Sequence, residues 1–488
     1  MTSGIARVIA AFLEVQNLGV NEIKKSLRER RSNIVDIAET YYDYISTLVI
    51  LTGTDKDDHF EITRGDESTR VQISRIKDGE VKKPFVDRTI SSQETSEIWI
   101  YGLDDDDVFN VSGGGKRPIK MKIVGGQNND IYEIKDGRRL KVYEHKTKPN
   151  TVKEKSGANV KYSNIYNFNT YDPLKKKSTA NSTLPAIGFN PDDGLLIGVT
   201  NVFSTYGFKN DPFSSRHTLN ATYSFATESL NLKYEGDFAN AFGQWNLVVG
   251  GKFTNEAFSR NFFGFGNETV NNDDDLGLDF NRVRNGEIGA HIGVESDNTF
   301  GSKLRFVANF ERIEIEQTGG RIIDDATLFT PDTDNFFGGQ SFIGVEGSYS
   351  YVSADNQANP TRGMEFETVI GAKRNLSSGD RMYAYINPKI GFYNALSRNR
   401  KLVLKTLVQS QIRIGDDFEF YQAASLGART GLRGYRFNRF TGESSLAASG
   451  DIRYSFDRFS TGLIPIQLGV FGGADVGRVW VDGEDSKK

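Results

Sequence analysis

The sequence predicts a mainly β protein whose larger part is an antiparallel transmembrane β-barrel. Three observations carry that reading. From about Leu195 onward, strand-length segments alternate between apolar and polar residues with a period of two. No apolar run reaches the roughly 20 residues that a membrane helix needs. Long polar connections, such as Thr254 to Asn285 and Glu316 to Gln340, separate some segments, and short ones such as Ala226–Glu228 separate others. A mean hydropathy of -0.47 suits such a wall, because only alternate side chains touch lipid.

The first element, residues 1–50, reads as helical. Val20 to Arg31 is rich in Glu, Lys and Arg, with Asn21 as a candidate cap, and Ile34, Ile37, Ala38, Tyr41, Tyr42, Ile45 and Leu48 recur at three- and four-residue steps. Arg7 interrupts the apolar residues of Met1 to Leu18, and no small-residue cleavage site follows. A barrel protein without a leader leads to the expectation that the native chain starts further upstream.

Residues 51–145 form a second, β-rich element built on Gly/Asp turns. Gly53 to Ile62, Gly102 to Val111 and Gly125 to Ile134 share one pattern: Gly, then Asp five positions on, then an aromatic, then a β-branched residue. Gly suits a tight turn, Asp bonds to backbone, and the last two positions point inward from the next strand. The pattern is similar to the calcium-binding nonapeptide of parallel β-rolls, with Asn128 where that motif has Gly. The copies are 49 and 23 residues apart (Gly53, Gly102, Gly125), which argues against adjacent stacking. Two readings follow: a structural turn with no cofactor, or a Ca²⁺ site. The oxygen donors of the second would come from Asp55, Asp57, Asp58, Asp104, Asp105, Asp107, Asn128 and Asp130.

Residues 146–185 read as a polar linker that includes Lys175 to Lys177. The barrel, 186–488, follows. Eleven candidate strands, from Leu195–Tyr206 to Phe418–Ala424, precede a distinctive loop, and Ser445–Phe456 and Leu468–Asp475 come after it. Alternation places Leu446, Ala448, Gly450, Ile452, Tyr454 and Phe456 toward lipid, with Asp451 and Arg453 inward; Phe471 and Asp475 likewise point inside.

Composition narrows the function. A net charge of -4 gives no field that favours nucleic acid. The absence of cysteine excludes disulfides, thiolate metal sites and a cysteine nucleophile. His59, His145, His217 and His291 are scattered without metal spacing, and Gly113 to Lys116 lacks the phosphate-loop pattern. No catalytic residue stands out, so a non-enzymatic protein is expected.

One loop carries a resemblance. Gly431-Leu432-Arg433-Gly434-Tyr435-Arg436 resembles the internal-loop tip of the bacterial surface antigen family, outer-membrane barrels that insert or translocate proteins. Ser449 to Tyr454 resembles the acidic-x-Arg strand after that loop, and Phe471 to Trp480 the next strand's Asp-x-Gly-x-Val-Trp. The resemblance implies that Leu432, Arg433, Gly434 and Tyr435 form an inward-folded tip, with Asp451 and Asp475 as lumenal partners of Arg433. It implies the bacterial outer membrane as location, and membrane lipid, substrate polypeptides and periplasmic or lipoprotein partners as contacts. The family's barrel has 16 strands, so the chain is expected to hold about 13 of them and to be incomplete at its C-terminal end. The family's transport-associated repeats are not readable in residues 51–145. That departure keeps a second reading open, a membrane anchor or accessory module of a larger surface or periplasmic enzyme such as a phosphoesterase.

Overall fold

The computed structural model describes residue 20 and residues 22–482, except 165, 176–178, 191, 209–212, 299–300, 325–335, 380, 416–417 and 461–463. The expectations for Met1 to Leu18, for the Asn21 cap and for Lys176 and Lys177 lie outside the described residues. The chain divides into two compact units, Met1–Lys175 and Lys176–Lys488.

In the first unit, helix α1 (Ile34–Ser46) leads into β1 (Leu48–Thr52) and β2 (Asp58–Arg64). A hairpin follows, β3 (Ser68–Lys77) and β4 (Glu80–Ser91). Then come β5 (Glu97–Leu103), β6 (Val108–Gly113), β7 (Lys120–Gly126), β8 (Ile131–Ile134), β9 (Leu140–His145), β10 (Thr151–Glu154) and β11 (Asn159–Ser163). Parallel pairing runs β1-β5-β7-β9-β11 in one sheet and β2-β6-β8-β10 in the other, with the hairpin extending the second sheet beyond β2. The chain therefore winds as a solenoid whose coils pass from one sheet to the other. Alternate residues of each strand meet in a dry core: Phe60, Ile62, Ile98, Ile123, Tyr132 and Ile134 are fully buried.

The three sequence repeats are the corners between the two sheets, and here the structure corrects the spacing argument. They do stack, with Phe60, Phe109 and Tyr132 in register, because the β3–β4 hairpin is an insertion that lengthens the first coil. The rings stack with centroids 4.4 Å and 5.1 Å apart. The Asp positions form a ladder: the Asp58 N–H donates to Asp107 Oδ1 (2.8 Å), that of Asp107 to Asp130 Oδ1 (3.0 Å), and that of Asp130 to Asn150 Oδ1 (3.0 Å). Asn150 thus belongs to a fourth, degenerate copy, in which Val152 takes the aromatic's place. The leading Gly is a matter of space. A Cβ on Gly102 would collide with the Asp107 carboxylate, and one on Gly125 with the carboxylates of Asp130 and Glu144.

Among the described residues of the second unit thirteen strands follow one another as a meander. They are β12 (Ala180–Asn190), β13 (Gly194–Thr205), β14 (Ser215–Ser224), β15 (Ser229–Phe242), β16 (Trp245–Thr254), β17 (Arg282–Asp297) and β18 (Ser302–Ile315). The rest are β19 (Gln340–Ala354), β20 (Gly363–Asn375), β21 (Met382–Ala395), β22 (Leu402–Ile414), β23 (Ser444–Ser455) and β24 (Gly469–Trp480). Each pairs antiparallel with the next, and β12 and β24 have one neighbour each, so the sheet is not closed. The fold class is mainly β with a large antiparallel barrel-type sheet.

Two strand assignments from sequence are corrected. Residues 146–185 are not a bare linker: β10 and β11 complete the solenoid and Ala180–Asn190 opens the barrel sheet. Phe418–Ala424 is a 3₁₀ turn at Phe420–Gln422 that leads into the short strand Ala424–Leu426. The count of eleven strands before the loop stands because the two errors cancel. The Ala226–Glu228 turn shares an end of the sheet with the long connections 255–281, 316–339 and 415–443, since antiparallel order puts every second connection on one side.

Candidate functional site

The polar side of the barrel sheet is held by charges that pair with one another. Glu235 meets Arg305 at 2.8 Å and His291 at 3.0 Å; Lys303 meets Glu295 at 2.7 Å; Lys373 meets Glu311 at 2.7 Å; Lys252 pairs with Glu287. These residues lie at alternate positions of successive strands, so period-two spacing collects them on one face. Glu235, Lys252, His291, Arg305, Glu311 and Lys373 line a cavity of about 710 Å³ together with Asn220, Lys233 and Glu346. On the opposite face Leu219, Ile288, Ile292, Phe306, Val345 and Ile452 remain exposed. An apolar face this continuous, backed by a salt-bridged polar face, is inverted relative to a soluble sheet.

The 415–443 connection runs back onto the polar face. Its first part buries Phe420 and Tyr421 against Phe262, Ile313 and Phe342, and the Tyr421 carbonyl accepts from Arg260. Arg381 pairs with the buried Glu419 at 2.9 Å. The second part turns at Gly431 and Gly434, both at positive φ (102° and 111°), which an L side chain rarely adopts. Between them Leu432 is buried beside Leu426, Ala447 and Val479.

Arg433 comes next, and the structure brings it to both carboxylates named from sequence. Its backbone N–H donates to Asp475 Oδ2 (2.9 Å), its Nε to the same oxygen (2.8 Å) and its Nη2 to Asp475 Oδ1 (2.5 Å). Nη2 also meets Asp451 Oδ1 at 2.7 Å. The fork on Asp475 is bidentate, the geometry that gives a guanidinium both strength and direction. Register explains the convergence. Asp451 and Asp475 sit on β23 and β24 on the same face, and Gly473 lies opposite Asp451, where a Cβ would strike the Asp451 carboxylate. Tyr435 stays exposed and packs edge-on against Phe440 at 5.3 Å.

Sequence reasoning missed a second anchor one turn further on. Arg436 pairs with Asp192, in the β12–β13 turn, and with Asp273 at 2.5 Å, in the 255–281 connection. Arg439 donates to Thr269 Oγ1 (2.6 Å) and lies over the Phe263 and Phe440 rings. Asn267 and Val479 exchange two hydrogen bonds, of 2.8 and 3.0 Å. Partners 244 and 163 residues away leave no local signal; the run Arg433, Arg436, Arg439 at three-residue steps was the one available hint.

The Asp-rich turns lie elsewhere, in the solenoid. Asp57 Oδ1 accepts from the Asp106 N–H (3.2 Å), Asp104 Oδ1 from Asn128 (3.0 Å), and Asp105 pairs with Lys56 at 3.3 Å. Asp107 and Asp130 accept backbone N–H groups as described above, Asp58 Oδ2 accepts from the Thr54 N–H (2.6 Å), and Asp55 stays exposed in its turn. Among the described residues no three acidic or histidine side chains converge as a metal site. Burial pushes the Asp107 carboxyl up to about 9, with the neighbouring Asp130 charge adding to it. Asp130 and Glu144, packed against each other, are also raised, first by burial.

No protein-family model and no curated protein matches the chain. Among solved structures it is similar to BamA from Haemophilus ducreyi lacking POTRA domains 1–3, at 14% identity and a TM-score of 0.44, covering 63% of this chain and 58% of that one. It is also similar to CdiB from Acinetobacter baumannii, at 12% identity and a TM-score of 0.36, covering 64% and 51%. The chain thus spans between half and three fifths of each of those structures.

Proposed function

We propose that the chain contributes an outer-membrane barrel of the surface antigen type, which inserts or translocates polypeptides and performs no chemistry of its own. The observation that supports this is the Arg433 fork on Asp475 and Asp451, on a loop folded against the polar face. A loop tied in this way occupies the path through the sheet and needs no bound group to do so. Its pairing holds shape and is not catalytic. The exposed apolar face meets lipid, and the charged inner face offers an extended polypeptide alternating partners. Periplasmic or lipoprotein components would meet it outside the sheet, in the bacterial outer membrane.

The test is insertion of an unfolded barrel substrate into vesicles that carry the full chain. The chain should raise the insertion rate above that of empty vesicles. Arg433→Ala should lower that gain by about tenfold, near 1.4 kcal/mol, while the folded chain keeps its heat-modifiable migration. A rate equal to that of empty vesicles sinks the proposal.

A further inference from the structure

The helical segment at the start of the described chain carries an apolar seam that no other described residue of its own unit covers. Helix runs over residues 22–32 and continues as α1 through a distorted turn at Asn33. The backbone bonds persist there: the Asn33 N–H donates to the Glu29 carbonyl (3.1 Å) and the Ile37 N–H to the Asn33 carbonyl (3.0 Å). No side chain of α1 is buried; Tyr42 bonds to Glu94 (3.0 Å), and Thr95 Oγ1 donates to the carbonyl of Ser46 at the end of the helix (2.8 Å).

Two features of this helix point to its occupant. First, Val20, Ile23, Leu27, Arg30, Ile34, Ile37, Tyr41 and Tyr44 follow one another at strict alternating steps of three and four. That is a 3.5-residue period along which a second helix can pack, and Val35, Ala38, Tyr42 and Ile45 widen the apolar face in α1. Second, charge is segregated along the axis. Lys24, Lys25, Arg28, Arg30 and Arg31 outnumber Glu22 and Glu29 in the first half, whereas Asp36, Glu39 and Asp43 have no basic companion in the second. Cations at the N-terminal end and carboxylates at the C-terminal end both oppose the helix dipole. An antiparallel neighbour of the same sequence relieves both, because it lays each basic half along an acidic one.

We propose that residues 20–46 pair antiparallel with the same segment of a second copy of this chain. The seam then sets Ile34 opposite Ile37 of the other copy, Leu27 opposite Tyr44, and Arg30 across a Tyr41 ring, the one polar seam position meeting an aromatic face. A parallel dimer would set like-charged halves side by side.

The chain has no cysteine, so introduced thiols report without background. Leu27→Cys and Tyr44→Cys chains are purified in detergent, separately and mixed, and oxidised. Antiparallel pairing gives a cross-linked dimer from the mixture and little from either variant alone, since equal positions lie 17 residues, about 25 Å, apart. Cross-linking of Leu27→Cys with itself overturns the proposal. Sedimentation supplies a measurement that does not depend on a bond forming: the unmodified chain should be a dimer at micromolar concentration, and Ile34→Glu/Ile37→Glu should shift it to monomer while the barrel stays heat-modifiable. A chain that is monomeric at that concentration, including one whose helix binds anionic vesicles instead, also overturns it.

Discussion

The solenoid and the barrel use the same period of two with opposite polarity. In the solenoid the apolar half of each strand is buried: Phe60, Phe109 and Ile123 are 0% exposed. In the barrel the apolar half faces outward, with Ile292 57% and Val345 62% exposed, and the polar half turns inward and pairs. Alternation therefore says that one face differs from the other and leaves open which solvent each face meets. Strand length and the chemistry of the polar half decide. The coil strands β1, β2 and β5–β11 have 4–7 residues and close on an apolar core. The barrel strands have 10–16, enough to cross a membrane tilted, and their inward charges come in opposite-sign pairs, on adjacent strands (Lys252–Glu287, Lys303–Glu295) or on strands two or three apart (Lys373–Glu311, Arg305–Glu235).

Four substitutions sharpen or break that contrast. The largest effect belongs to Ile62→Asp, which buries an unpaired carboxylate in the solenoid core. It should cost more than about 4 kcal/mol and abolish slow hydrogen exchange across 51–163. Exchange that stays protected would mean the core is wet. Next, Ile292→Arg on the barrel's outer face should cost about 2–4 kcal/mol for folding into vesicles, read from the urea midpoint. If the midpoint does not move, that face does not meet acyl chains.

A smaller effect follows from the Asp ladder. Because burial raises the Asp107 carboxyl to about 9, the folded solenoid holds a proton that the unfolded chain releases near pH 4. Its contribution is complete below about pH 4 and is lost as pH rises through about 9. The melting temperature should therefore fall between pH 5 and pH 9, and Asp107→Asn should flatten the slope while keeping an acceptor for the Asp58 N–H. A melting temperature that rises over that range contradicts the assignment. The smallest effect is Arg70→Ala. Its partner Asp87 is exposed on the hairpin, so calorimetry should register no change.

The Arg433 site was legible because its three pieces lie within 50 residues and each carries a recognisable pattern: Gly431 to Arg436, Ser449 to Tyr454, and Phe471 to Trp480. β12 was missed because Pro185 and a run of small polar residues read as a connector. An edge strand tolerates proline, since its missing N–H costs no ladder bond on the open side. The aromatics of Phe418 to Tyr421 imitate a strand, yet they serve the loop's packing on Phe262 and Phe342. The Gly/Asp repeats were found as repeats and misjudged as non-adjacent, because sequence distance counts an inserted hairpin that the coil does not.

By itself the sequence determined the alternation, the repeat with its Gly and Asp positions, and the pairing of one arginine with two aspartates. These rest on local rules: a pleated strand shows its side chains on alternate faces, a crowded corner excludes a Cβ, and a motif fixes a register. Tertiary structure alone decided that the repeats stack, that Glu144 stands buried where the other copies have Gly, and that Arg436 ties the loop to Asp192 and Asp273. Those contacts join residues far apart along the chain, and only the folded backbone brings their carboxylates and cations within hydrogen-bonding reach.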